Sequence, residues 1–215
     1  MIHIASLVVG PLQSNCHILS NDAREALVVD PGDEAERILR YLDSEDLTVM
    51  GYPLTHGHVD HVSALAEMYA QRPAPVGMHP IDLAWSFSER NQIPPVYPSP
   101  TAPPEVARLY EEGQTWLDAG WTYRVLHTPG HSPGSVSFYF EEEGILIAGD
   151  VLFRGSVGRS DLPGGNPRTL SESLRRFAEL PDDTRVYCGH GPSTTIGEEK
   201  RTNFFMQNLP GSARS

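Results

Sequence analysis

The stretch His56-Gly57-His58-Val59-Asp60-His61 places four potential metal donors within six residues, directly after an apolar run at 48–54. A lone histidine is more often a surface or core residue than a ligand. Three of them beside an aspartate have no packing rationale, whereas neutral imidazole and carboxylate are both good donors to borderline divalent cations. His56 and His58, two apart, share a side if the backbone stays extended. Asp60 and His61 fall where the chain turns into a helix expected over 63–70. One short segment can therefore feed two neighbouring metal positions.

Three later candidates repeat one design, an apolar strand followed by glycine and a donor. His131 lies in Thr128-Pro129-Gly130-His131-Ser132-Pro133-Gly134, Asp150 closes Ile145-Leu146-Ile147-Ala148-Gly149-Asp150, and His190 stands in Cys188-Gly189-His190-Gly191-Pro192. Glycine lets backbone pass close to a bound ion. His3, His17, His79 and His127 occupy or border strands and read as structural.

The elements that must position these donors alternate along the chain. Strands are expected at 2–9, 15–19, 26–29, 48–54, 75–78, 122–126, 135–140, 145–148 and 184–187, from β-branched and apolar runs closed by turn residues such as Asp30-Pro31-Gly32. Helices are expected at 33–42, 63–70, 168–180 and 197–206, from apolar residues at three- and four-residue spacing. Between 94 and 104, six of eleven residues are proline, which no helix or central strand tolerates. That segment reads as a solvated loop or as a lid over the site. No internal repeat is present, and the alternation implies a mixed α/β fold with helices covering sheets. Donors lie on both sides of the proline-rich segment and would have to meet, so residues 1–215 are taken as one domain.

Composition narrows the partners. The formal net charge is −12, with Lys200 the lone lysine, which argues against nucleic acid and anionic membranes. Cys16 and Cys188 do not make a disulfide framework and read as thiols in a reducing compartment, with a ligand role for Cys188 the lesser alternative. The first ten residues read as a strand, not a signal peptide, and no run is long enough to span a membrane. A soluble, cytoplasmic protein is expected.

The string Thr55-His56-Gly57-His58-Val59-Asp60-His61, followed by His131, Asp150 and His190, resembles the metallo-β-lactamase-fold hydrolases, and most nearly the short bacterial members of the glyoxalase II (hydroxyacylglutathione hydrolase) group. The resemblance runs from Asn15-Cys16 and Asp30-Pro31-Gly32 through Gly149-Asp150-Val151-Leu152-Phe153 and Val157-Gly158-Arg159-Ser160-Asp161 to the tail. It implies a four-layer αβ/βα sandwich with metals at one edge between two sheets. By position, His56, His58 and His131 would hold one ion and Asp60, His61 and His190 a second, with Asp150 bridging. Zinc is the expected metal, with iron or manganese as alternatives. Arg159 falls where full-length members place a basic residue that helps bind glutathione, so it could grip a substrate carboxylate; a structural pairing with Asp161 is the alternative. Those members carry a C-terminal helical extension with further basic residues, where this sequence has 25 residues after His190, including Lys200, Arg201 and Arg214.

The activity implied is hydrolysis of a thioester such as S-lactoylglutathione by a metal-bridging hydroxide, with Asp60 and Asp150 as its catalytic carboxylates. A small-molecule thioester is then the partner, with no nucleic acid or membrane. The nearest rival is a persulfide dioxygenase, which shares the fold and would use one Fe²⁺ on His56, His131 and Asp150. Lactone, phosphodiester or β-lactam hydrolysis, and metal binding without catalysis, remain open at this point.

Overall fold

The computed structural model describes residues 1–209; Arg214 lies outside them. The N-terminal half supplies one six-stranded sheet: β1 (His3–Val9), β2 (Ser14–Ser20), β3 (Glu25–Val29), β4 (Thr48–Pro53), β5 (Val76–Met78) and β6 (Arg108–Leu109), in that spatial order. β1, β2 and β3 pair antiparallel; β3 to β6 are parallel. The parallel connections run through α1 (Ala35–Ser44), through α2 (Val59–Val62) and α3 (Leu65–Gln71), and through α4 (Pro80–Ser86) with the proline-rich segment.

The second half builds the second sheet from β7 (Thr115–Asp118), β8 (Trp121–His127), β9 (Val136–Phe140) and β10 (Ile145–Gly149). After a small hairpin of β11 (Leu152–Phe153) and β12 (Ser156–Val157), the chain passes through α5 (Pro167–Ala178) and adds β13 (Arg185–Cys188) and β14 (Thr194–Thr195). The spatial order is β14-β13-β10-β9-β8-β7, with β13 parallel to β10. Helices α6 (Ile196–Thr202) and α7 (Phe204–Gln207) follow.

The side-chain period of two explains the layering. Along β3, Ala26 and Val28 pack under α1 and α3 with Ile38, Leu42 and Met68, while Leu27 and Val29 face the other sheet. Along β10, Leu146 and Ala148 meet Leu170, Leu174 and Phe177 of α5, while Ile145 and Ile147 join the core between the sheets. Strands buried on both faces read as continuous apolar runs. Two sheets back to back, each with helices outside, make the four-layer αβ/βα sandwich.

Several local expectations are corrected. The helix expected over 197–206 breaks at Asn203 (φ −81, ψ 117), whose buried amide donates to the carbonyls of Phe153 and Ser156 while its oxygen caps Phe205. Tertiary hydrogen bonds outweigh helical propensity there. A helical turn, α2, precedes the helix expected over 63–70, so Asp60 and His61 are themselves helical. Helix α4 lies outside the expected helices, although Pro80 at its first position and His79 as N-cap, accepting from the Ile81 amide at 3.2 Å, are start signals. Strands β6, β11, β12 and β14 have two residues each, too short for a pattern. The proline-rich segment is only in part a solvated loop: Tyr97 is buried, and the backbone turns back on itself between Ile93 and Tyr97.

Candidate metal centre

All seven donors come from the same edge of the sandwich. After β4 a loop delivers His56 and His58, and the first turn of α2 delivers Asp60 and His61. His131 follows β8, Asp150 follows β10 and His190 follows β13. The first sheet thus contributes four donors and the second three. His56, His58 and His131 form one group whose donor atoms lie within 4.8 Å of one another, and Asp60, His61 and His190 form another. Asp150 stands between them: Oδ2 is 3.5 Å from Nε2 of both His131 and His190, and Oδ1 is 3.5 Å from His61 Nε2.

The hydrogen bonds on the outer sides of the rings decide which nitrogen faces in. His61 Nδ1 donates to Asp30 Oδ2 (3.1 Å), His131 Nδ1 to the Arg159 carbonyl (2.8 Å) and His190 Nδ1 to the Gln13 carbonyl (3.2 Å). Thr55 directs its hydroxyl proton to Asp30 (2.5 Å), so its oxygen accepts from His56 Nδ1 (3.0 Å). In four rings Nδ1 is therefore the outward donor and Nε2 is left to accept a cation. His58 offers Nδ1 instead, 2.8 Å from His131 Nε2, and His61 Nε2 lies 3.3 Å from His190 Nε2. Facing lone pairs at such distances repel unless a proton or a cation lies between them. Donor atoms bound tetrahedrally at 2.0–2.1 Å stand about 3.3 Å apart, the scale seen here.

Two further observations show that a cation fits. His56 Nε2 and Asp150 Oδ1 are buried without a hydrogen-bond partner, a state that is rare unless an ion or water completes it. The electrostatics are also divided. Burial and the neighbouring His61, His131 and His58 hold His56 well below its ordinary value, and burial, then His131, pushes His58 down to about 3. Both stay neutral ligands. Burial alone would lower His61, yet Asp60, Asp150 and Asp30 raise it to about 10. Burial opposes ionisation of Asp60, but His61, His190 and His58 outweigh it and keep that carboxyl well below the usual range. A pocket that draws a proton so strongly draws a cation for the same reason.

Glycines shape the pocket. A Cβ on Gly189 would lie 2.0 Å from Asp150 Oδ1, and one on Gly158 1.8 Å from the Asp150 carbonyl oxygen.

Three supporting residues escaped the sequence reading. Asp30, in the left-handed region (φ 51), accepts from the Thr55 amide and hydroxyl and from His61; Asp30-Pro31-Gly32 signalled a turn, not this role. Asn15 donates to the carbonyls of Cys188 and Gly191, both at 2.8 Å, and so secures the loop of His190. Asp82, on α4, accepts from the amides of Gly57 and Gly134. Its partners are backbone groups far away in sequence, which no motif reveals.

The remaining histidines lie outside the pocket: His3 pairs with Asp22, His17 donates to the Cys188 carbonyl, and His79 stacks on His127 at 4.3 Å. Cys188 is buried, its thiol pushed up to about 12 by burial, and it joins neither donor group. Arg159 makes a two-pronged pair with Asp161 at 2.8 Å while both stay exposed. Its carbonyl, not its guanidinium, touches the centre, through His131. Among the described residues no helix is long and apolar enough to cross a membrane.

A model of the Metallo-beta-lactamase superfamily matches residues 9–190. The probable metallo-hydrolase YqgX of Bacillus subtilis is 39% identical over 94% of this chain and 96% of its own. The hydroxyacylglutathione hydrolase GloC of Haemophilus influenzae is 33% identical over 96% of this chain and 99% of its own. Among solved structures, the BLEG-1 B3 metallo-beta-lactamase superposes with a TM-score of 0.90 at 39% identity, covering 95% of this chain and 99% of that one. TTHA1623 in a di-iron-bound form superposes with a TM-score of 0.83 at 42% identity, covering 94% and 99%.

Proposed function

Because the chain belongs to the metallo-beta-lactamase superfamily, we propose that it is a binuclear metallohydrolase that cleaves 2-hydroxyacyl thioesters, with S-lactoylglutathione as the prototype. The observation that carries this reading is the meeting of two donor groups across Asp150. A one-iron oxygenase would need only His56, His131 and Asp150, and would leave Asp60, His61 and His190 crowded into the pocket without a task. The likeness to GloC supports the thioester, and the likeness to a di-iron form supports iron as an alternative to zinc. Cytoplasmic residence is part of the same proposal.

In this reading His56, His58 and His131 would hold one divalent cation and Asp60, His61 and His190 the other, with Asp150 standing between the two groups. Bound there, two such cations would supply Lewis acidity toward a thioester carbonyl and a lowered pKa of water. The protein's own contributions are orientation and charge. Asp60 stays ionised across the working range and is an acceptor that orients the attacking water. Asp30, Thr55 and the Arg159 carbonyl fix the ring planes, so little reorganisation accompanies the reaction. A thiolate departs without a dedicated acid. At the rim, Arg159 exchanges Asp161 for a substrate carboxylate.

The test is metal analysis of the purified protein coupled to a panel of thioesters, read as thiol release. Two ions per chain and selective turnover of 2-hydroxyacyl glutathiones are expected. A loaded protein that releases no thiol from any of them overturns the assignment.

A further inference from the structure

Seven donors account for the pocket, but not for the fully buried carboxylate beside it. Asp82 has no exposure to solvent, and its two oxygens are divided between two loops. Oδ2 accepts from the Gly57 amide at 2.9 Å and from the Ser132 hydroxyl at 2.6 Å; Oδ1 accepts from the Gly134 amide at 2.7 Å. Gly57 stands between His56 and His58, and Ser132 follows His131. One side chain thus pins both backbone segments that carry the first donor group. The glycines bear the imprint of this packing: a Cβ on Gly134 would lie 2.6 Å from Asp82 Oδ1, and one on Gly57 2.0 Å from Ser86 Oγ. Asn91 ties the same segment to the end of α4, donating to the carbonyls of Gly57 (2.7 Å) and Ser86 (2.6 Å).

The second donor group is held without Asp82, and shares with the first only Asp30, which reaches His56 through Thr55. His61 is held by Asp30, the Asp60 carbonyl accepts from Ser14, and Asn15 and Gln13 hold the loop and ring of His190. None of these hydrogen bonds involves Asp82.

We propose that Asp82 is a positioning residue that sets the spacing of His56, His58 and His131, and so governs cation occupancy of that group independently of the Asp60–His61–His190 group. This rests on the binuclear reading. The chemistry singles out a carboxylate. An asparagine amide has one acceptor oxygen where the donors of Gly57, Ser132, Gly134 and Trp85 converge, so its NH₂ must face either the Gly57 or the Gly134 amide. Whichever N–H loses its acceptor is buried and unpaired, and its loop shifts. Loss of a hydrogen-bonded support to a ligand lowers metal affinity about 10–100-fold.

The full-length wild-type chain and Asp82→Asn are stripped of metal and titrated with Co²⁺ against a competing chelator, following the visible absorption and the bound ion count. The wild type is expected to take up two ions; the variant keeps one at unchanged affinity and binds the other about 10–100-fold more weakly. A wild-type chain that takes up fewer than two overturns the binuclear reading and this proposal with it. Two ions in both proteins at matching affinities overturn the proposal alone. If Asp82→Asn does not fold, Ser132→Ala cuts one of the Asp82 ties; selective weakening of one ion sustains the proposal, and unchanged affinities for both overturn it.

Discussion

Gly189→Ala isolates the geometric demand of the centre. Gly189 is not in a left-handed conformation, so alanine meets no backbone penalty, and whatever follows is steric. Its Cβ would lie 2.0 Å from Asp150 Oδ1, whereas ordinary contact begins near 3.4 Å. It cannot retreat, because His61 Cε1 at 3.0 Å and the Gly149 carbonyl carbon at 3.1 Å close in on it as well. The Asp150 carboxylate must therefore withdraw by about 1.4 Å, several times the roughly 0.2 Å within which metal–ligand distances are held. A misplacement of that size costs on the order of 100-fold in rate. Overpacking costs about 1–3 kcal/mol of stability, so the protein should still fold at room temperature. The assay is ion content per chain and thiol release, with circular dichroism as the check on folding. Gly191→Ala is the control: Gly191 has φ +73, and a Cβ there would meet no atom within 4 Å. That variant bears backbone strain of about 1–2 kcal/mol while Asp150 stays in place. A folded Gly189→Ala protein with two ions and wild-type turnover would refute the placement of Asp150 between the donor groups.

Acid sensitivity should arise in part outside the centre. His17 and His79 are both pushed down to about 4, each chiefly by burial, with His127 adding to the effect on His79. Their folded pKa values lie below the unfolded value, so their stability contribution is present above about pH 6.5 and is lost as pH falls toward 4, by roughly 3 kcal/mol for the enclosed His17 and by less for His79. His79→Asn keeps an N-cap and should flatten the melting temperature between pH 7 and 4; parallel curves for variant and wild type would contradict this. Chelation should destabilise the loaded protein: two ions, each at 100 times its Kd, contribute about 5 kcal/mol, or a melting shift of about 10–20 °C at this chain length, and calorimetry showing no shift would speak against a centre built into the fold. Arg159→Ala should raise KM for glutathione thioesters and leave the melting temperature unchanged, since both members of its ion pair are exposed; an unaltered KM would confine Arg159 to its carbonyl contact with His131.

What the sequence made legible was whatever is written locally. The donors in His56 to His61 are contiguous, and Asp150 and His190 each end an apolar strand beside a glycine, so residue type and spacing exposed them. The buried strands β3, β9 and β10 announced themselves as apolar runs, and α5 by Leu170, Leu174 and Phe177 on one face. Illegible were features whose cause lies far away in the chain. Asp82 differs from a surface aspartate only because Gly57 and Gly134 approach it from 25 and 52 residues away. Asn203 breaks a helix because the β11–β12 hairpin offers its amide two carbonyls. Arg159 drew notice for its charge, whereas its backbone oxygen makes the contact with the centre.

The division of the donors between the sheets gives the centre a mechanical role as well as a chemical one. His56, His58, Asp60 and His61 belong to the first sheet, and His131, Asp150 and His190 to the second. Away from this edge the sheets are joined by an apolar core, with Leu27 and Val29 against Phe138 and Ile147. At the edge the joint is polar, and without a cation it brings lone pairs and carboxylates together. In the binuclear reading a cation there would replace repulsion across the joint with shared coordination, so metal binding would also join the two sheets. The same linkage explains why the supports are duplicated, with Asp82 spanning the His58 and His131 loops and Asn15 spanning β2 and the His190 loop. Each ties one sheet to the other beside one donor group.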